Sequence, residues 1–126
     1  MILDSLFNDN KNLILKKMLD YTSVNQRVIA HNIANVETPG FTAKKVLFSR
    51  ELAEAVRSGD MQRIRQIAPV VVDNQDHPYR MDMNNVDIEH ELAKMGENRM
   101  QHDLVSSMLK NRLQKWAEIF EKVAAE

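Results

Sequence analysis

Histidine and carboxylate side chains near residue 90 have types and spacing that metal sites use. His90-Glu91 begins like the zinc-protease motif His-Glu-x-x-His, in which two histidines one helical turn apart bind zinc. Lys94 occupies the position of the second histidine, so an exposed helical histidine is favoured over a zinc ligand. The chain has no cysteine, which excludes thiolate metal sites, disulfides and cysteine nucleophiles.

The polar segment before this motif matches a metal-binding loop only in part. Asp82 to Asp87 begins like a calcium loop, but Val86 stands where an oxygen ligand is needed and Asp87 where the loop needs glycine. A loop that leads into a helix N-cap is therefore favoured. Met81 and Met83 could bind copper through sulfur, but no histidine cluster is adjacent, so packing or exposure is favoured. Since nucleophile motifs and glycine-rich phosphate loops are also missing, we expect no enzyme, no metal, no cofactor and no small-molecule substrate.

Three polar residues interrupt an apolar pattern further along the chain, namely Arg99, His102 and Ser106. They could fix the register of a helix pair or form a pH-sensitive contact. The alternative is a bend at which this face of the helix becomes exposed.

Length and charge narrow the possible class of protein further. The 126 residues suffice for one domain, and 17 basic against 18 acidic residues give a net charge of -1. Without a basic surplus there is no electrostatic case for binding nucleic acid or an anionic membrane. The start, Met1 to Phe7, lacks the features of a secretory signal peptide, and no apolar run reaches the ~18–20 residues of a membrane span. The default compartment is the cytoplasm, unless a specialised machine exports an uncleaved chain.

A first long helix is predicted from about Asn12 to Asn35, because apolar residues recur there at alternating steps of four and three. The helix should end near Thr38-Pro39-Gly40, since proline disfavours helical geometry at the preceding residue and glycine accepts positive φ. The predicted stripe consists of Leu15, Leu19, Thr22, Gln26, Ile29, Ile33 and Val36.

A second, longer helix is predicted from Ile88 to Ala125, with Asp87 as its N-cap and acidic residues in its first turn. It would be about 56 Å long, more than a compact 126-residue globule spans. Its predicted stripe consists of Ile88, Leu92, Met95, Arg99, His102, Ser106, Leu109, Leu113, Trp116, Phe120 and Val123.

The region between the helices is predicted to be small and irregular. Proline, glycine and the predicted N-cap residues Ser49 and Asp60 divide it into short pieces, and its last part is polar and read as an extended, mobile loop. The predicted pieces are strands at 44–48 and 70–72, helices at 50–57 and 61–67, and the loop at 73–85.

The sequence thus predicts a mainly α fold in which the two terminal helices pack as a coiled coil beside a small irregular α+β region. The segments are residues 1–40, 41–85 and 86–126, the first and last forming one helical domain. Each helix carries a second apolar edge, Tyr21-Val24-Val28 and Met100-Leu104-Met108, that packing of the pair leaves partly uncovered. Leaving these side chains in water forgoes several kcal/mol at ~25 cal/mol per Å2, so we expect copies or partners to cover them and the ends of the lone chain to be partly unfolded.

Two segments carry a resemblance to a known family. Residues 32–41, Asn-Ile-Ala-Asn-Val-Glu-Thr-Pro-Gly-Phe, resemble a signature of bacterial flagellar axial proteins, the subunits of the rod and hook. Residues 84–89, Asn-Asn-Val-Asp-Ile-Glu, with the following Glu91 to Met95, resemble the opening of the C-terminal helix in the same family. Order, spacing and length are most similar to the subunits of the proximal rod, since hook and distal-rod proteins are much longer.

The resemblance implies a structural subunit of the flagellar basal-body rod, the helical drive shaft of bacterial motility. It implies self- and hetero-assembly through the terminal helices, export by the flagellar type III export apparatus without a cleaved signal peptide, and a place in the periplasmic part of the basal body. Expected partners are other rod and basal-body proteins and copies of the chain. The predicted assembly residues are Leu15, Leu19, Ile29, Ile33, Leu109, Leu113, Trp116 and Phe120, and the predicted turn motif is Asn32, Asn35, Thr38, Pro39 and Gly40.

Two other classes of function stay open at the level of sequence. A small helical adaptor or chaperone could clamp a partner helix in a hydrophobic groove, and the eight methionines of the chain suit such adaptable binding. A hydrolase or metal enzyme in the middle region would need a concave pocket with converging polar groups.

Overall fold

The computed structural model describes residues 10–125, in which two long helices flank a small middle region. This confirms the predicted fold class, and the prediction about Met1 to Phe7 lies outside the described residues. Within 10–125, no helix combines the length and hydropathy needed to cross a bilayer. The elements in chain order are α1 (Asn10–Ala34), β1 (Lys44–Leu47), α2 (Ser49–Ser58), α3 (Met61–Gln66), β2 (Val70–Asp73) and α4 (Ile88–Ala124).

Helices α1 and α4 pack antiparallel. At one end of the pair, Arg112 Nε donates to Asn12 Oδ1 at 2.7 Å, and at the other end Asn32 Nδ2 donates to Glu91 Oε2 at 3.1 Å. From Arg112 to its end at Ala124, α4 continues for about 18 Å. The C-terminal third of α4 therefore extends past the level of Asn12.

Helix α1 packs with two of its faces. Leu15, Thr22 and Ile29 of the predicted stripe are buried, as expected. The neighbouring edge, which was predicted to stay partly uncovered, is half-buried at Tyr21, Val24 and Val28, and Tyr21 stacks on Phe48 at a ring-centroid distance of 5.1 Å. A small hydrophobic core lies on this side of α1. Its buried members are Phe48, Leu52, Ala55, Ile64 and Ile67, with Leu13, Ile14, Met18, Tyr21, Val46 and Met61 packed around them.

The middle region contains the predicted strands and short helices. Strands β1 and β2 pair antiparallel, and an ion pair between Lys44 and Asp73 joins their ends. Gly59 ends α2 in the left-handed conformation at φ 71°, and Asp60 caps α3 by accepting from the Arg63 backbone N–H. The predicted capping role of Ser49 is wrong, since Ser49 is the first residue of α2 and no side chain caps that helix.

Helix α4 begins as predicted, with Asp87 Oδ1 accepting from the His90 backbone N–H at 3.2 Å. Its buried stripe is nevertheless turned from the predicted one, because the buried residues are Glu91, Asn98 and Val105. Each lies one residue before a predicted stripe position, whereas Met95, His102, Leu109 and Trp116 of that stripe are half-buried, so the buried face is turned by only part of the ~100° that one residue spans. Leu92 is consequently 54% exposed. The second apolar edge of α4, Met100-Leu104-Met108, is exposed as predicted.

Gly96 is the one glycine within α4, and no atom outside its local helix lies within 4 Å of the position where a Cβ would stand. We therefore expect Gly96→Ala to raise the free energy of unfolding by about 1 kcal/mol, since alanine restricts the unfolded chain and favours helix. Gly59→Ala should instead lower it by about 1 kcal/mol, because Gly59 has positive φ. Urea denaturation of both variants measures the two values, and the same sign for both would contradict this account.

Candidate functional site

The seam between α1 and α4 is polar at its centre. Asn98 accepts from Asn25 Nδ2 at 2.9 Å and donates to the Thr22 carbonyl at 2.9 Å and to Gln26 Oε1 at 3.0 Å. One turn further along α4, His102 Nδ1 lies 2.9 Å from Thr22 Oγ1. Because a slip of the helices would leave these buried groups without partners, the polar seam fixes one alignment of the pair. Of the roles considered for His102, this geometry supports the one in which the side chain fixes the register of the helix pair.

Asn32 connects three elements at the end of the pair. Its side chain is fully buried, and it pairs with the Lys44 backbone by accepting from the N–H at 2.9 Å and donating to the carbonyl at 2.8 Å. The same amide nitrogen donates to the buried carboxylate of Glu91. Asn32 thus acts like an extra strand residue for β1 while holding the first turn of α4.

Asn84 binds the chain just after α1. Its Nδ2 donates to the carbonyls of Asn35 at 2.8 Å and Thr38 at 2.9 Å, and its Oδ1 accepts from the Val86 N–H at 2.8 Å. The side chain is fully buried. The two segments that resemble the axial-protein signature therefore bind each other directly through Asn84.

The predicted turn motif forms the other half of this contact. Asn35 Nδ2 donates to the His31 carbonyl at 2.8 Å, and Thr38 Oγ1 donates to Asn35 Oδ1 at 3.1 Å. Gly40 has φ 74°, and its N–H donates to the Asp82 carbonyl at 2.8 Å. Pro39 is exposed. The turn therefore uses Gly40 for its conformation and places Pro39 on the surface.

The loop predicted to be mobile is anchored by further hydrogen bonds. Asn85 accepts from the Ala43 N–H at 2.7 Å and donates to the Asn74 carbonyl at 2.6 Å. The Arg80 guanidinium donates to the carbonyls of Val36 and Val86. We call this network the asparagine junction, with members Asn32, Asn35, Asn74, Asn84 and Asn85. Within residues 10–125, every buried side-chain nitrogen and oxygen has a hydrogen-bond partner.

Asn84, Asn85, Arg80 and Glu91 were not predicted as site residues. The available signal was the Asn-Asn pair of the second signature segment, whose side chains each carry two N–H donors, against one in a backbone amide. Their partners could not be read from the sequence, because four of them are backbone groups 42 to 49 residues away.

The predicted assembly residues do not form one cluster. Those on α1 and the middle of α4 pack within the chain, whereas the later positions of α4 face outward. Leu15 and Ile29 are buried, Leu19, Ile33, Leu109 and Trp116 are half-buried, and Leu113 and Phe120 are 46% and 37% exposed. Their role in assembly stays a prediction.

Of the side chains considered for metal binding, Met81 and Met83 are exposed, and the acidic and histidine side chains are engaged in other contacts. Asp82 Oδ1 accepts from the Asn84 N–H, and Asp87 caps α4. The ring of His90 packs edge-on against that of His77 at 4.7 Å. Within the described residues, no three histidine, cysteine or acidic side chains converge on one point.

Two apolar surfaces of α4 face solvent. The first, which we call the ridge, consists of Met100, Leu104 and Met108, which are 68%, 62% and 48% exposed. The second, which we call the groove, is an open cleft of about 480 Å3 between α1 and α4. The groove is lined by Leu19, Ser106, Leu109, Lys110, Leu113, Gln114 and Ala117.

Comparison with known proteins gives a consistent result. No family model matches the chain. The chain is 32% identical over 110 residues to the flagellar basal body rod protein FlgB of Borrelia hermsii, covering 73% of this chain and 82% of that protein. It is 30% identical over 98 residues to FlgB of Bacillus subtilis, covering 70% and 75%, and 27% identical over 116 residues to FlgB of Escherichia coli, covering 78% and 83%.

Proposed function

The chain belongs to the FlgB family of flagellar basal body rod proteins, and we propose that it is a structural subunit of the bacterial flagellar basal-body rod. The observation that carries the proposal is the asparagine junction. It joins the two signature segments at one end of the antiparallel helix pair, so that one rigid unit presents both terminal helices. The adaptor alternative has no support from the relatives.

We propose that assembly uses the outward faces of the terminal helices. The ridge and the exposed Leu113 and Phe120 leave a large apolar area of α4 in water, which forgoes several kcal/mol at ~25 cal/mol per Å2. Contacts with other rod and basal-body proteins and with copies of the chain would recover that free energy. The polar seam supports this assignment, since it fixes the helix pair and leaves the outward apolar side chains available for assembly.

Location and export follow from the family and are proposed with it. We expect the subunit in the basal body, in the part of the rod that crosses the periplasm, after export by the flagellar type III apparatus. We expect no catalytic activity.

A gene replacement tests the proposal in the source bacterium. Deletion should abolish swimming and leave basal bodies without a complete rod, because a missing structural subunit interrupts the shaft. Basal bodies purified after complementation should contain the chain in a fixed ratio to other rod subunits. Complete rods in the deletion strain would contradict the proposal. A chain needed for swimming but absent from purified basal bodies would point to the adaptor.

A further inference from the structure

The ridge of α4 lies in an uncharged helix face. From residue 100 to residue 111, the side chains on this face are Met100, Gln101, Leu104, Ser107, Met108 and Asn111. In a chain with 28% charged residues, such a face suits packing against another apolar surface. The side chains at i, i+4 and i+8 form a continuous row, the element that enters a groove on a partner helix.

The groove lies on the other side of α4. Leu104 of the ridge and Leu113 of the groove are nine residues apart, which is two and a half helical turns, so they point in opposite directions. Leu19 of α1 and Leu109 form the groove together with Leu113. The small residues Ser106 and Ala117 also line it, so that a third helix can approach closely.

We propose that the ridge of one copy of the chain packs into the groove of the next copy. This contact rests on the proposed rod function and specifies the surfaces that it uses. The ridge is about 12 Å long and the groove about 16 Å, so the ridge fits within it. Because ridge and groove face opposite ways, the contact cannot close between two copies, and it leaves a free ridge and a free groove at the two ends of a growing row.

Charge complementarity supports a second copy of the chain as the partner in this contact. The ridge is centred on Leu104 and the groove lies seven to eight residues further along α4, so parallel copies would be staggered by about 11 Å. This stagger brings Asp103 of one copy level with Lys110 of the next. Both side chains are exposed, and neither forms an ion pair within residues 10–125.

The size of the contact indicates where it forms. A stable dimer usually buries ~800 Å2 on each partner, which is more than a single row of three side chains provides. We therefore expect dilute chain to remain monomeric and the contact to form where other rod contacts hold copies side by side.

Disulfide trapping tests the pairing, and the absence of native cysteine makes it specific. Leu104→Cys and Leu113→Cys are co-expressed as separate copies in the source bacterium, and basal bodies are purified under oxidising conditions. The cross-linked dimer should form at least tenfold more from this mixture than from either variant by itself. The matched control pairs Leu104→Cys with Glu51→Cys, since Glu51 is exposed on α2. Circular dichroism of the purified variants checks that both fold.

A charge exchange gives a second, independent measurement. Asp103→Lys and Lys110→Asp should each reduce incorporation into basal bodies severalfold, and the double variant should restore it. Restoration is not expected from a merely structural effect on the helix.

Two results would overturn the pairing. A dimer through Leu104→Cys alone would indicate a closed, symmetric contact. Normal rods without the mixed cross-link would show that other surfaces are used, while the rod function would stand. Absence of the unmodified chain from basal bodies would instead remove the rod function itself.

Discussion

Asn84→Ala is expected to lower the free energy of unfolding by about 3 kcal/mol, a large part of the stability of a domain this small. The change leaves the Val86 N–H without its partner and takes one hydrogen bond from each of the carbonyls of Asn35 and Thr38. Because these groups lie in a buried junction, water replaces the lost bonds poorly. The melting temperature should fall by about 10 °C. Urea denaturation and thermal melting followed by circular dichroism measure both values.

Two further variants sharpen the comparison. Asn84→Asp keeps the acceptor for Val86 but loses both donors and brings a charge into the junction, so it should be at least as unstable as Asn84→Ala. Asn111→Ala removes the same side chain from an exposed position and should change stability by less than ~0.5 kcal/mol. Equal effects at residues 84 and 111 would show that the junction does not stabilise the fold.

Leu113→Asp is expected to abolish incorporation into the rod while the monomer still folds. Leu113 is 46% exposed, so a carboxylate there can stay hydrated in the free chain. In a covered apolar interface the same charge would be desolvated without a partner, at a cost of several kcal/mol. Swimming should be lost, and purified basal bodies should lack the variant. Quantitative immunoblotting of basal bodies, with circular dichroism of the purified chain, provides the measurement.

The matched control for this variant is Gln62→Asp, which adds the same charge at an exposed position on α3. It should leave incorporation and swimming unchanged. Normal rods built from the Leu113→Asp chain would remove Leu113 from the assembly surface, and an unfolded monomer would show that its role lies within the chain.

Local sequence signals predicted the helices and their limits well. Asp87 before an apolar repeat, Gly59 after one, and Pro39 after the first helix each act on neighbouring residues only, so their effects can be read without knowing the fold. The β-branched run Val70 to Val72 indicated a strand for the same reason.

The orientation of α4 could not be predicted in this way. The apolar periodicity places Leu92 and, seven residues further on, Arg99 on the inner face, but the chain buries Glu91 and Asn98, each one position earlier. Those polar residues are stable inside because α1 supplies Asn25 and Asn32 as partners. Since such pairing links residues about 60 to 73 positions apart, a single-chain pattern does not contain it.

Only some residues of the candidate site were predicted, for the same physical reason. Asn32, Asn35, Thr38 and Gly40 were identified through the resemblance of their segment, and the structure gives each of them a hydrogen bond in or beside the turn. Asn74 was read as part of a loose polar loop. Asn74 is buried because other parts of the chain pack around it, and the composition of its own segment carries no information about those contacts.

The asparagine junction also implies an order of events as the chain folds. Asn35 and Asn84 are 49 residues apart, so their bond must await closure of a long loop whose entropy is lost before any contact is gained. Helices and the adjoining α2–α3 pair depend on near neighbours and can form much sooner. The two ends of the molecule are therefore joined last, and a chain still being synthesised has no junction until residues beyond 84 have emerged.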